Sequence, residues 1–263
     1  MSVRNVGYLI LFVFLGMVTS CSKENPEDSG SPSLINGTIT GNIGNYISLK
    51  YDTLVAFTPD TTFSYLMSIG VTNLSKSGDF YLALQKPGFK YTKEIGLNKK
   101  HFVGTISDPT VRVSPGGVQF YIIKNNYYRL YVQRANYSNI NSQRTVGDKF
   151  SLFIYSDALL KLDGEFIDTI RNTNTGVTTL YTEQDQFTLE KGWNELLVEF
   201  TFYREILLSQ TYTYKVTNRL DKDLKWVYLD VINPSKARSS KKYGSFGCGS
   251  EPKFPLVLST NRD

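Results

Sequence analysis

The chain has one histidine, two cysteines and two tryptophans, and these scarcities exclude much familiar chemistry. His101 stands alone, so a multi-histidine metal site is ruled out and any catalytic triad would have to be built on it. Cys21 and Cys248 cannot make a disulfide framework, and no Cys-x-x-Cys pair is present. A glycine-rich phosphate loop and a His-Glu-x-x-His helix are also missing. The net charge is +5 in 263 residues, with the excess gathered near the C-terminal end. A nucleic-acid partner is not expected, because that needs a basic stripe along the folded part. No apolar run is long enough to cross a bilayer, which takes about 20 residues. No stretch of about twelve residues keeps a helical period with good helix formers. Cofactors are not expected.

Aromatic residues are abundant: they make up 14% of the chain, and eighteen are tyrosines. The patterning is that of strands. Apolar and polar residues alternate over 34–40, 46–51, 65–72 and 80–84, with a turn at Ser77-Gly78-Asp79 and a break at Pro87-Gly88. Residues 118–124 and 127–134 flank Asn125-Asn126, a hairpin turn. Residues 150–155 are apolar almost throughout, as in a strand buried on both faces. Asp163-Gly164 between 159–162 and 166–167 carries the strongest two-residue hairpin signal. Further strands are expected over 196–203, 206–216 and 224–232. The fold class is all-β.

The N-terminus begins with Arg4 ahead of an apolar run over 6–15, the h-region of a secretory signal. Val18-Thr19-Ser20-Cys21 follows and resembles the lipobox of bacterial lipoproteins. The resemblance implies cleavage before Cys21, acylation of Cys21 with palmitate-like chains, and a lipid anchor in a membrane. Each buried methylene contributes about 0.8 kcal/mol, so two or more chains hold firmly. With Cys21 acylated, Cys248 has no partner within the chain, and the fold must be held by its core. Residues 22–33 are polar and acidic with Pro and Gly, a flexible tether. Ser22 after the cysteine resembles outer-membrane sorting. Glu24, Glu27 and Asp28 resemble the export signal that sends Bacteroidota lipoproteins to the cell surface.

Ile35-Asn36-Gly37-Thr38-Ile39-Thr40, Ile69-Gly70-Val71 and Ser77-Gly78-Asp79-Phe80 resemble the small carboxypeptidase-regulatory or transthyretin-like β-sandwich modules of Bacteroidota surface proteins. Gly147 to Tyr155, Leu189-Glu190-Lys191-Gly192-Trp193-Asn194 and Asp223-Leu224-Lys225-Trp226 resemble uncharacterised Bacteroidota lipoproteins, and no activity comes with that likeness. The expected organisation is a signal peptide (1–20), a tether (21–33), a small β-sandwich module (34–90), a connection (91–116), a larger β-sandwich domain (117–233) and a basic tail (234–263).

The candidate site residues are few. Tyr127, Tyr128, Tyr131 and Tyr137 crowd one hairpin and are candidates for stacking on a glycan or a protein. Tyr203, Tyr212 and Tyr214 crowd another. Trp193 and Trp226 read as core anchors. Asp157, Asp163, Glu165 and Asp168 cluster in sequence, where paired carboxylates would suit glycoside hydrolysis or Ca²⁺. Turn chemistry at Asp163-Gly164 and protection of strand edges are the preferred account of them. Asp52-Thr53-Leu54, Asp60-Thr61-Thr62 and Asp168-Thr169-Ile170 resemble the O-glycosylation sites of Bacteroidota exported proteins, which implies sugar on Thr53, Thr61 and Thr169. The expected function is non-enzymatic: an outer-membrane or cell-surface lipoprotein with a binding or structural role. Its partners are the membrane, through the lipid, and a glycan or another envelope protein. The rival readings are a glycan-binding accessory protein of a polysaccharide-uptake system, a fimbria-like subunit and a carboxylate-dependent hydrolase.

Overall fold

A computed structural model describes residues 34–44, 46, 53–62, 64–95, 101–124, 128–137, 145–173 and 175–229. The strands are β1 (Leu34–Ile35), β2 (Thr38–Asn42), β3 (Thr53–Pro59), β4 (Leu66–Asn73), β5 (Asp79–Ala83), β6 (Lys93–Glu94), β7 (Phe102–Ile106) and β8 (Arg112–Val113). They continue with β9 (Gln119–Lys124), β10 (Tyr128–Ala135), β11 (Lys149–Ser156), β12 (Leu160–Arg171), β13 (Thr178–Leu189), β14 (Gly192–Ile206), β15 (Ser209–Thr217) and β16 (Lys225–Leu229). Among the described residues helix is limited to 3₁₀ conformation, in a turn at Phe89–Tyr91 and at Ile95. The fold is all-β.

Two sheets hold the strands. The smaller runs β1-β2-β5. The larger runs β4-β3-β9-β10-β11-β14-β15-β13-β12-β7, with β16 also on β10, β8 on β11 and β6 on β8. Its pairings are antiparallel except β13 with β15. That exception arises because two long hairpins, β12–β13 and β14–β15, lie side by side.

The core has two parts. One cluster gathers Phe150, Leu152 and Ile154 of β11, Leu196, Val198 and Phe200 of β14, and Leu160, Leu162, Phe187 and Leu189 of the first long hairpin. The other gathers Ile39 and Leu82 of the small sheet with Leu54, Ile69, Phe120, Ile122, Phe153 and Trp226. Strand β11 feeds both clusters from opposite faces, which is why its sequence is apolar without alternation.

Trp226 joins the two sheets. Its indole meets Phe80 at 5.2 Å, Phe120 at 5.2 Å and Phe153 at 5.8 Å. Gly41 makes room for it: a Cβ there would stand 2.4 Å from Trp226 Cδ1. The segment expected as a separate module over 34–90 thus shares a core with the later block. The sheet is shared too, since β3 pairs with β9 from Thr53↔Ile123 to Phe57↔Gln119.

Two turns differ from what the local sequence leads one to expect. Asp163-Gly164 is not a hairpin turn. Strand β12 runs through it unbroken, paired with β13 on one side and β7 on the other. Gly164 is required for another reason: it faces Gly104, and a Cβ on it would lie 2.6 Å from Val103 O and 2.6 Å from Phe102 Cζ. A glycine within a strand marks close approach as often as a turn. The reversal comes later, where Asn172 N donates to Val177 O at 2.8 Å. Conversely, the strand expected over 34–40 is broken. Asn36 (φ 50°) and Gly37 (φ 77°) turn β1 into β2, the left-handed pair that a two-residue hairpin prefers.

Candidate functional site

The long hairpins carry side chains in rows across four strands, because the register aligns residues of like phase. Leu162 and Phe187 form one row with Leu196 nearby in the core. The next is Gly164–Asp185–Val216–Val198, then Phe166–Glu183–Tyr214–Phe200, then Asp168–Tyr181–Tyr212–Tyr203. A bulge between Phe200 and Phe202 returns Tyr203 to the face that Phe200 occupies. The face therefore changes from aliphatic, through a carboxyl pair, to a tyrosine row.

The tyrosine row is self-stacked. Tyr181 and Tyr212 lie 5.4 Å apart at 17°, and Tyr203 sits 5.0 Å from Tyr212 at 46°. The Tyr203 hydroxyl donates to Glu205 Oε2. That bond is the main reason the Tyr203 hydroxyl is pushed up to about 12 and Glu205 is held below the usual carboxylate range. Burial raises Tyr181 and Tyr212.

Glu183 and Asp185 point to one face of β13, and both are buried, at 1% and 2% exposure. Burial, then the neighbouring charge of Glu183 and a hydrogen bond with it, raise Asp185 well above its ordinary 3.8. Two carboxyls so close in a dry interior share a proton more readily than both ionise. The consequence for stability has a definite sign. The folded pKa lies above the unfolded one, so the folded state holds more protons between the two values. The contribution of Asp185 to stability is therefore greatest below pH 3.8 and falls as pH rises through that window. For Asp185→Asn we expect a higher melting temperature than wild type near about pH 7 and a flatter pH profile above about pH 4. Calorimetry across that range checks it. A profile for Asp185→Asn that runs parallel to wild type would mean that Asp185 does not titrate there.

Of the four tyrosines that crowd the β9–β10 hairpin in sequence, Tyr131 and Tyr137 have described side chains. Tyr127 lies outside the described residues, and Tyr128 pairs with Lys124 at the start of β10. Tyr131 meets Tyr121 edge-on at 5.5 Å, and Tyr121 meets Phe57 at 5.9 Å. Tyr137 donates to Gln133 Oε1 at 2.8 Å and packs against the first core cluster. Trp193, half-buried, stands edge-on to Tyr155.

The threonines differ in setting. Thr53 is half-buried and donates to Asn73 Oδ1 at 3.4 Å. Thr61 is half-buried with its N–H on Lys90 O. Its neighbour Asp60 would be raised by burial, but hydrogen bonds from Tyr65 N, Ser64 N and Thr62 outweigh that and lower it. Thr169 is exposed, with its N–H on Asp168 Oδ1 at 2.8 Å. Cys21 and Cys248 lie outside the described residues.

The four carboxylates that are close in sequence have different settings. Asp157 accepts Arg112 N at 2.9 Å. Asp163 and Glu165 alternate with the core-facing residues of β12, whereas Asp168 shares their phase. His101 stacks over Phe166, with Nδ1 3.0 Å from Ile167 O. Asp221 binds Lys149 Nζ at 2.9 Å and accepts Asp223 N. That contact lowers Asp221 and raises Lys149. Among the described residues no three His, Cys, Asp or Glu side chains gather as a metal site would require.

Sequence reasoning missed Glu183 and Asp185, because Thr182-Glu183-Gln184-Asp185-Gln186 is polar throughout. The signal was the phase of Phe187 and Leu189: counted back by twos, it places both acids inward and Thr182, Gln184 and Gln186 outward. No family model, curated protein or solved structure matches the chain.

Proposed function

We propose that this chain is a lipid-anchored envelope protein, cut before Cys21 and acylated there, which holds an all-β body at the outer membrane for a non-enzymatic binding or structural task. The anchor reading is supported by the charged start, the short apolar run and the small residues before Cys21. The non-enzymatic reading is supported by how the reactive groups are used. His101 bridges to the β12 backbone, Asp157 fixes β8, and the buried acids lie within a packed face. His101 and Asp157 thus serve to hold strands together.

The test is metabolic labelling with palmitate in the native host. Wild type should take up label and sediment with membranes. Cys21→Ala should lose the label and enter the soluble fraction. A Cys21→Ala chain that still sediments unlabelled would reject the lipid as anchor.

A second reading, glycan binding, is favoured by the row Tyr181–Tyr212–Tyr203 flanked by Asp168 and Glu205. Its inner ring faces are covered by one another, so a sugar would stack at the ends of the row. A glycan array read with wild type and Tyr203→Ala separates the readings: hits that vanish in the variant support it.

A further inference from the structure

The two long hairpins end together at an apolar tip. Thr178 N donates to Leu208 O at 2.8 Å, tying the ends. Leu207 is 92% exposed, Leu208 60%, Ile206 47% and Ile170 40%. The last side chain of β14 that packs against the core is Tyr203, so Leu207 stands about 13 Å beyond it along the strand. Nothing in the core requires apolar residues that far out.

The backbone sharpens the point. Leu207 is the first loop residue between Ile206 and Ser209, and its φ is 49°. A two-residue hairpin with a left-handed first position favours glycine, and leucine is disfavoured there. The chain thus carries a large exposed apolar side chain where its own geometry asks for none. An observed backbone outlier of this kind points toward function.

We propose that this tip inserts into a phospholipid bilayer surface. Its size and shape favour lipid over protein. Four side chains present on the order of a few hundred Å², against roughly 800 Å² per partner in a stable protein interface. A convex point also offers no groove for a complementary surface, whereas a bilayer accepts it. The flanking residues match the interface region. Arg171 and Arg204 are exposed within a few residues of the tip, and the hydroxyl-bearing row of Tyr181, Tyr212 and Tyr203 lies just behind it. Aromatic and basic residues at that level suit the headgroup zone. Glu205 at the same level is engaged by Tyr203 and Gln210.

The test reads the tip itself. In the full chain carrying Cys21→Ser, Leu207→Trp places a reporter at the tip, and Trp193 and Trp226 serve as an internal background. With phosphatidylcholine vesicles, and with vesicles containing phosphatidylglycerol, lipids brominated on their acyl chains should quench the emission of the introduced indole. The same chain without Leu207→Trp should show no such quenching. Leu207→Gly should lower vesicle partition about tenfold while raising the melting temperature, because glycine relieves the backbone. No quenching of the introduced indole on either vesicle would overturn the proposal. So would Leu207→Gly partitioning as wild type, or a dimer in solution that Leu207→Gly dissociates, which would make the tip a self-association surface. Cys21 is absent from every arm, so failure here leaves the anchor reading untouched.

Discussion

Trp226→Ala is expected to cost about 3–5 kcal/mol, a large share of the 5–15 kcal/mol typical of a folded domain. Trp226 is 4% exposed, and its ring contacts reach β5, β9 and β11 at once. Removing it leaves a cavity between the sheets that rigid aromatic neighbours cannot collapse to fill. The damage should reach both sequence blocks, because Phe80 comes from the first and Phe120 and Phe153 from the second. Urea unfolding followed by circular dichroism measures it. A single transition shifted to lower urea is the expected result. A loss below about 1 kcal/mol would mean that the indole is not the joint between the sheets.

Arg134→Met is expected to cost about 3–5 kcal/mol, because it strips the counter-charge from a buried carboxylate. Arg134 Nη1 lies 2.5 Å from Glu195 Oε1, with the two side chains 7% and 3% exposed. Ser151 Oγ donates to the same oxygen at 2.6 Å. The pair is a different matter from either half. Two charges taken out of water repay little of their desolvation, so the double variant Arg134→Met/Glu195→Leu should recover most of the loss. A double-mutant cycle by chemical unfolding decides this. If the double variant is as unstable as the sum of the singles, the two residues act independently.

Much of this architecture is legible in the chain itself. The unbroken apolar run of β11, the pairing of β9 with β10 and the role of Trp226 as a core anchor follow from pattern alone. What escapes is information held by partners. Asp163-Gly164 carries the local signature of a turn, yet β7 arrives from far along the chain and pairs across it, and Gly164 serves that approach. Asn36-Gly37 is hidden inside an alternating stretch whose phase it interrupts. Glu183, Asp185, Arg134 and Glu195 read as surface charges, because burial of a polar side chain depends on neighbours that no local window contains. The tip is hidden for the opposite reason: residues 206–208 look like strand interior, and only the register shows that they are its end.

The reading of this chain as a lipid-held β body rests on what happens at Cys21. The intact mass of the protein, extracted by detergent from its native membranes, tests that most directly. The expected mass is that of a chain beginning at Cys21 plus its acyl groups. A chain that begins at any other residue, or at Cys21 with no added mass, would contradict it.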